Sequence, residues 1–270
     1  MRLEPLIAKK FEMKGSEKSR QSLLDEDMDL LRKSADIGLR LLFPPRCPVC
    51  RDILVPEDGK IHAACHKKLK YVQEPVCLLC GKPILEAEDE YCSDCMARRH
   101  YFDGGRAVWI YEKHIRQSII WFKYKHCREF ADFYGESAVS ADGYWIEHIH
   151  PDVIIPIPLN RKKLRTRGFN QAELLAKVIG RRMNIPVDTK VLIRSHWTEP
   201  QKNLSPVQRF ANLKKAFQVH LNPQKQYKTV LLIDDIYTTG STMDACAKLL
   251  KEHGILKVYF VVLGIGSDAY

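Results

Sequence analysis

A chain of 270 residues, 45% apolar and 28% charged, is long enough for one domain with a sizeable core plus a small module, or for two modest domains. No apolar run approaches the roughly 20 residues that a membrane-spanning helix requires, and the N-terminus lacks the apolar stretch of a secretory signal, so the sequence predicts a cytoplasmic protein with no membrane span. The formal net charge is +10. It is concentrated: eight Lys/Arg residues (161, 162, 163, 165, 167, 177, 181 and 182) face one acid, Glu173, between Arg161 and Arg182. Such a field attracts phosphates, pyrophosphate or nucleic acid, and a solvated basic face would have the same composition.

Residues 1–33 alternate charges with short apolar pairs, and read either as an amphipathic helix or as a disordered arm. The next feature is arithmetic. Cys47 and Cys50, His62 and Cys65, Cys77 and Cys80, and Cys92 and Cys95 form four x-x pairs with a period of fifteen. That spacing lets two side chains reach one metal from a tight turn, and four pairs make two tetrahedral sites. A disulfide framework fits badly in a chain that reads as cytoplasmic, and a redox motif does not account for four even pairs. The reading is therefore two structural zinc ions. Sequential pairing of the knuckles is simpler than interleaved pairing, and His66 is a second imidazole for the first site. Every coordination position is filled by protein, so no open position remains for chemistry. The segment is too short to build its own core, so metal should supply its folding energy, and metal loss should leave the rest of the chain largely folded. Cys127 and Cys246 lie outside the series; Cys246 reads as a buried small residue.

From residue 104 strands alternate with helices. Gly105–Tyr111 reads as a strand, 112–124 and 128–139 as helices, and Val153–Ile157 as a short buried strand. Residues 170–183 read as an amphipathic helix opened by Asn170 with Glu173 three positions on, a capping-box pattern. Residues 191–193 suit another strand, and Ser205-Pro206 opens a helix to about Lys215. Thr229–Ile233 and Lys257–Leu263 are continuous apolar strands separated by a helix, 242–253. Continuous apolar strands are buried on both faces. The predicted fold class is therefore α/β, a parallel sheet flanked by helices, with a small N-terminal zinc-ribbon module. The expected organisation is an arm over 1–33, a double zinc ribbon over 34–100 and the sheet domain over 101–270.

The strand at Thr229–Ile233 runs into Asp234-Asp235-Ile236-Tyr237-Thr238-Thr239-Gly240-Ser241-Thr242. A buried strand, two adjacent carboxylates, a Thr/Gly/Ser loop and a helix start make a phosphate cradle, because the helix N-terminus offers free N–H groups and Gly240 lets the backbone approach closely. The loop has no lysine, which excludes a Walker A loop, and no G-x-G-x-x-G. Two acids repel an anion, but vicinal carboxylates suit two neighbouring hydroxyls and a magnesium ion. A 5-phosphoribosyl group offers the diol and the phosphate together. Val230 to Thr242 resembles the phosphoribosyl-pyrophosphate motif of type I phosphoribosyltransferases.

Other segments extend the likeness. Leu41 to Cys47 (LLFPPRC), the cysteine knuckles, Phe122-Lys123-Tyr124, Ile155 to Leu159 (IPIPL), Arg165 with Arg167-Gly168-Phe169-Asn170-Gln171, and Arg194, Thr198, Gln201, Leu204, Arg209, Asn212 and Ala216-Phe217 are similar to the ComF family of late-competence proteins. The resemblance spans roughly residues 35–265; His62, where a cysteine is usual, and the N-terminal arm depart from it. It implies zinc ribbons followed by a phosphoribosyltransferase-like domain, single-stranded DNA and a phosphoribosyl ligand as partners, contact with other competence proteins, and a role in taking DNA into the cytoplasm during natural transformation.

Two functions follow. In the first the protein handles DNA: Arg161, Lys162, Lys163, Arg165 and Arg167 track a phosphate backbone, and Trp121, Phe122, Tyr124 and Phe169 are candidates for base stacking, at least two of them better suited to a core. In the second it transfers a phosphoribosyl group with release of pyrophosphate. Asp234, Asp235 and Thr238 to Thr242 then hold 5-phosphoribosyl pyrophosphate with magnesium, the 158–167 loop holds pyrophosphate, and 194–201 forms a lid. No segment identifies an acceptor. A third reading is a ligand sensor.

Overall fold

A computed structural model describes residues 42–86, 88–194 and 216–266. Its centre is a four-stranded parallel sheet in the order β1-β6-β5-β2, formed by β1 (Gly104–Ile110), β2 (Val153–Pro156), β5 (Thr229–Tyr237) and β6 (Lys257–Ile265). A separate antiparallel pair, β3 (Leu192–Arg194) and β4 (Phe217–Val219), sits at one end. The helices are α1 (Ala63–His66), α2 (Ser93–Ala97), α3 (Lys113–Tyr124), α4 (Phe130–His148), α5 (Arg161–Arg167), α6 (Gln171–Met183) and α7 (Ser241–Glu252).

Side chains of a strand alternate between faces, and here both faces are covered. Ile154, Leu231, Ile233, Val261 and Leu263 join one apolar core with Phe122 of α3, Tyr134 of α4 and Leu175 and Ile179 of α6. Val153, Ile155, Val230, Leu232, Phe260 and Val262 join the other with Met243, Cys246 and Leu250 of α7 and Phe217 of β4. That burial explains why the strands read as unbroken apolar runs.

The cysteine-rich segment divides between the two cores. Cys47, Val49, Leu54, Cys65 and Leu69 belong to the first, and Cys77, Cys80 and Cys92 to the second. The connection between them crosses the edge of β1, where Val72 N–H donates to Val108 O (3.0 Å) and Ile110 N–H to Lys70 O (2.9 Å). It thereby closes an otherwise open sheet edge. Ser118 of α3 donates to Pro48 O (2.5 Å), Lys60 pairs with Glu136 of α4 (2.5 Å), and Arg51 lies over the Trp121 ring. A ribbon so embedded does not match the expectation of a module that unfolds while the sheet persists.

Several element limits differ from expectation. β5 continues through Asp234 and Asp235 to Tyr237, in register with Val262 to Ile265 of β6. Helix α4 runs to His148, nine residues beyond the expected end at Val139. Residues 161–167, read as a loop, are helical. Asn160 Oδ1 accepts from Lys163 N–H (2.7 Å) at the start, and Gly168 takes a left-handed conformation at the end. Asn170 caps α6 through Ala172 N–H (3.2 Å), but Glu173 pairs with Lys177 rather than completing a capping box. The expected helix after Ser205 and most of the 194–201 segment lie outside the described residues. Among the described residues no helix is long and apolar enough to cross a membrane.

Candidate functional site

Two groups of four donors form. In Cys47, Cys50, His62 and Cys65, and in Cys77, Cys80, Cys92 and Cys95, the ligand atoms lie within 4.8 Å of one another, so the pairs meet sequentially. The two opening knuckles fold alike. Cys47 N–H donates to Asp52 O (2.9 Å) and Arg51 N–H to Cys47 O (2.9 Å); Cys77 N–H donates to Lys82 O (2.8 Å) and Gly81 N–H to Cys77 O (2.9 Å). The turn demands positive φ, 68° at Arg51 and 72° at Gly81. A Cβ on Gly81 would also come within 2.6 Å of Gly105 O, so glycine is required where this knuckle presses on β1.

His62 Nδ1 lies 3.3 Å from Cys50 Sγ, while Nε2 faces Ile53 O (3.2 Å) and Asp58 Oδ2 (3.3 Å). With the proton on Nε2 the ring donates to oxygen and turns the Nδ1 lone pair towards the thiols, the usual way a second shell orients a ligating imidazole. His66 is turned instead to Tyr71 Oη (3.0 Å). All nine cysteines are free thiols. In the second group, hydrogen bonds from Cys80, Cys92 and Cys95 pull the Cys77 thiol far down, and that charge pushes Cys80 and Cys95 up. Without a cation four crowded sulfurs cannot all ionise; a soft divalent ion with tetrahedral preference suits both donor sets, and neither leaves an open coordination position.

The second centre lies where the C-terminal ends of β2 and β5 adjoin, the position where open parallel sheets take ligands. A cleft there is lined by Asp234, Ile236, Tyr237, Thr238, Thr239, Gly240, Ser241, Thr242 and Met243. Gly240 is left-handed (φ +70°), and a Cβ on it would fall 2.4 Å from Tyr237 Oη. Thr239 Oγ1 and Ser241 Oγ are 2.9 Å apart. The first-turn N–H groups of α7 face this loop, as at any helix start.

The two carboxylates are not equivalent. Asp235 pairs with Lys123 of α3 (2.8 Å). Among the described residues Asp234 accepts Asp235 N–H (2.8 Å), and burial, reinforced by the Asp235 charge, raises its pKa from 3.8 to about 7. Arg194 projects from β3 with its guanidinium over the Phe217 ring (5.2 Å), and its buried Nε has no hydrogen-bond partner among the described residues. Burial lowers the Arg194 pKa, and Asp234 is among the charges that oppose this.

The basic residues separate. Arg161, Lys162, Lys163 and Arg165 are exposed on α5, whereas Arg167 is 7% exposed. Arg167 donates to Gln171 Oε1 (3.0 Å) and Tyr124 Oη (3.1 Å), so its donors serve the fold. Local crowding and the charges of Arg167, Arg194 and Lys123 lower the Lys163 pKa, so these cations face one region. Phe122 and Phe169 are core residues in mutual contact (5.7 Å), Trp121 lies beneath Arg51, and Tyr124 is 57% exposed. A wider hollow of about 570 Å³ lies between α4 and α6. Of the cations that line it, Lys177 pairs with Glu173, Arg181 pairs with Asp132, and Arg128 donates to Gly168 O (2.9 Å).

Lys123 stood in a quoted motif without a site role, and Arg194 was read as the start of a lid, not as a partner of Asp234. Arg98 and His100, which touch the loop and α7 from the ribbon side, carried no local signal.

Residues 38–96 match the family described as double zinc ribbon domain, and residues 146–265 match phosphoribosyl transferase domain. The chain is 29% identical over 225 residues to Competence protein F of Haemophilus influenzae, covering 80% of this chain and 95% of the relative. It is 29% identical over 230 residues to Competence protein ComFC of Bacillus subtilis, covering 82% and 86%. It is 27% identical over 227 residues to DNA utilization protein YhgH of Escherichia coli K12, covering 81% and 96%. The chain thus places a match to a double zinc ribbon domain, which spans both sulfur-rich clusters, ahead of a match to a phosphoribosyl transferase domain, which spans the loop at Asp234–Thr242, and over four-fifths of its length it is similar to proteins named for competence.

Proposed function

We propose that this protein aids the uptake of single-stranded DNA in natural transformation, binding DNA through α5 and a 5-phosphoribosyl ligand at the adjoining loop. The observation that carries the reading is the juxtaposition of α5 and the loop. Helix α5 follows β2, the loop follows β5, and these are neighbouring parallel strands. Thr238 to Thr242 would hold the 5-phosphate by hydroxyl and backbone donors. Asp234 and Asp235 would accept from the ribose hydroxyls, with magnesium supplying charge neutralisation when a pyrophosphate is present. Cys47, Cys50, His62 and Cys65, and Cys77, Cys80, Cys92 and Cys95, would each hold one structural zinc.

A second reading, transfer of the phosphoribosyl group with release of pyrophosphate, is favoured by Arg194, a half-buried cation whose charge interacts with that of Asp234 and whose Nε has no hydrogen-bond partner among the described residues. It shares the loop with the first reading but assigns the α5 cations to pyrophosphate.

The salt dependence of DNA binding separates them. Exposed lysines and arginines that contact phosphates release counterions, and affinity for single strands falls with a log–log slope of about −0.7 per contact. Replacing Arg161, Lys162 and Arg165 together by alanine is expected to flatten the slope by about 2. Arg167 is excluded from that variant because it would disturb Tyr124 and Gln171. An unchanged slope, with loss of pyrophosphate-bearing ligands, would give these cations to the enzyme reading.

A further inference from the structure

The last zinc-ligand pair leads directly into a strap along α7. Cys92 caps α2 and Cys95 lies on it; Lys82, from the preceding knuckle, holds that helix through Asp94 (2.6 Å). Immediately beyond α2, Arg98 Nη2 donates to Thr239 O in the phosphate loop. His100 Nδ1 donates to Asp244 Oδ2 (2.7 Å) and Tyr101 N–H to Asp244 Oδ1 (2.9 Å), fixing the first turn of α7. Asp103 then takes Lys251 (2.7 Å) from the last turn. The strap therefore grips the loop and both ends of the helix whose N-terminus forms the cradle.

These contacts are buried ones. The His100 side chain has no exposed surface and the Asp244 side chain 7%. Beneath the loop Tyr237 stacks on Phe260 (5.1 Å), which meets Phe102 edge-on (4.9 Å). Phe102 belongs to the same apolar core as Cys77, Cys80 and Cys92. Thr239 O can reach Arg98 only while α2 holds its place, and α2 carries a ligand at its N-cap, Cys92, and another in its middle, Cys95.

We propose that metal occupancy of the second knuckle and ligand occupancy of the phosphate loop are thermodynamically coupled, with Arg98 and His100 as positioning residues. The inference rests on the reading of the loop as a ribose-phosphate site. Coupling between sites is reciprocal: if the filled knuckle tightens the loop, the bound sugar phosphate retains the metal by the same factor.

The test replaces zinc by cobalt(II), whose absorption differs between a four-thiolate site and one with three thiolates and an imidazole, and challenges the whole chain with a chelator. At equilibrium, saturating ribose 5-phosphate is expected to raise the chelator concentration that removes half of the four-thiolate signal by about tenfold, within the usual range of coupling, and to leave the other signal unchanged. Arg98→Met should abolish that rise and weaken sugar-phosphate affinity by about the same factor, while Arg98→Lys restores part of both. The same equilibrium chelator midpoint with and without ligand, when calorimetry shows the ligand bound, overturns the coupling alone. Absence of any sugar-phosphate binding overturns the site reading and the coupling together.

Discussion

Replacing Cys77 by serine is expected to lower the thermal midpoint of the whole chain by about 10 °C, not merely to fray the ribbon. Structural zinc supplies on the order of 10 kcal/mol to small modules that fold only around the ion; here the apolar packing of the ribbon against the sheet remains when one ion is lost, so the net loss is a fraction of that, about 3 kcal/mol. In a domain of this size each kcal/mol shifts the midpoint by roughly 2–4 °C. The effect spreads because Cys77 is fully buried in the core that holds Leu232 of β5, Phe260 of β6 and Leu250 of α7. Elemental analysis should find two zinc ions per wild-type chain and one in the variant. Circular dichroism should show helix and sheet melting together at the lower temperature. A sheet that melts at the wild-type midpoint after loss of one zinc would show that the ribbon is an independent module.

Asp234→Asn should stabilise the protein at about pH 8 by roughly 1–3 kcal/mol while weakening ribose-phosphate binding. The sign follows from the raised pKa. Burial and the neighbouring Asp235 lift Asp234 from 3.8 to about 7, so ionisation is penalised in the folded state. A carboxyl group with a raised folded pKa costs nothing below its unfolded pKa; the penalty grows as pH rises to about 7 and is constant above. That rise corresponds to at most about 4 kcal/mol, and to less for a half-buried carboxylate screened by solvent. Asparagine keeps the oxygen that accepts from Asp235 N–H and removes the charge. Urea unfolding at about pH 4 and about pH 8 measures the difference: near zero at the acid end, stabilising at the alkaline end. Equal effects at both would mean that Asp234 titrates normally. A site that stores an uncompensated charge is poised for a ligand that uses it, which is why stability and binding should move in opposite directions.

What was legible in the sequence was what is contiguous. Metal ligation demands local spacing, so the eight donors stood out as four pairs, and the loop was readable because strand, acids, glycine and helix start occupy thirteen successive residues. The sandwiched sheet was legible because Val230 to Ile233 and Val258 to Leu263 are apolar on both faces. Contacts across the chain were not: Arg98 meets Thr239 over 141 positions and His100 meets Asp244 over 144. Helix α5 offers only Leu164 as an apolar position, so periodicity was silent there. Strand β5 was cut short at Ile233 because paired aspartates do not resemble a strand. The ribbon was read as separable because its cysteines were counted as ligands and not also as core residues.

Calorimetry with 5-phosphoribosyl pyrophosphate and magnesium tests whether Asp234 to Thr242 forms a ribose-phosphate site. The wild type should bind, and Asp234→Ala with Asp235→Ala should bind about 100-fold more weakly, the equivalent of two charge-assisted hydrogen bonds to the diol. Wild type and double variant binding with equal affinity would contradict the assignment of the site.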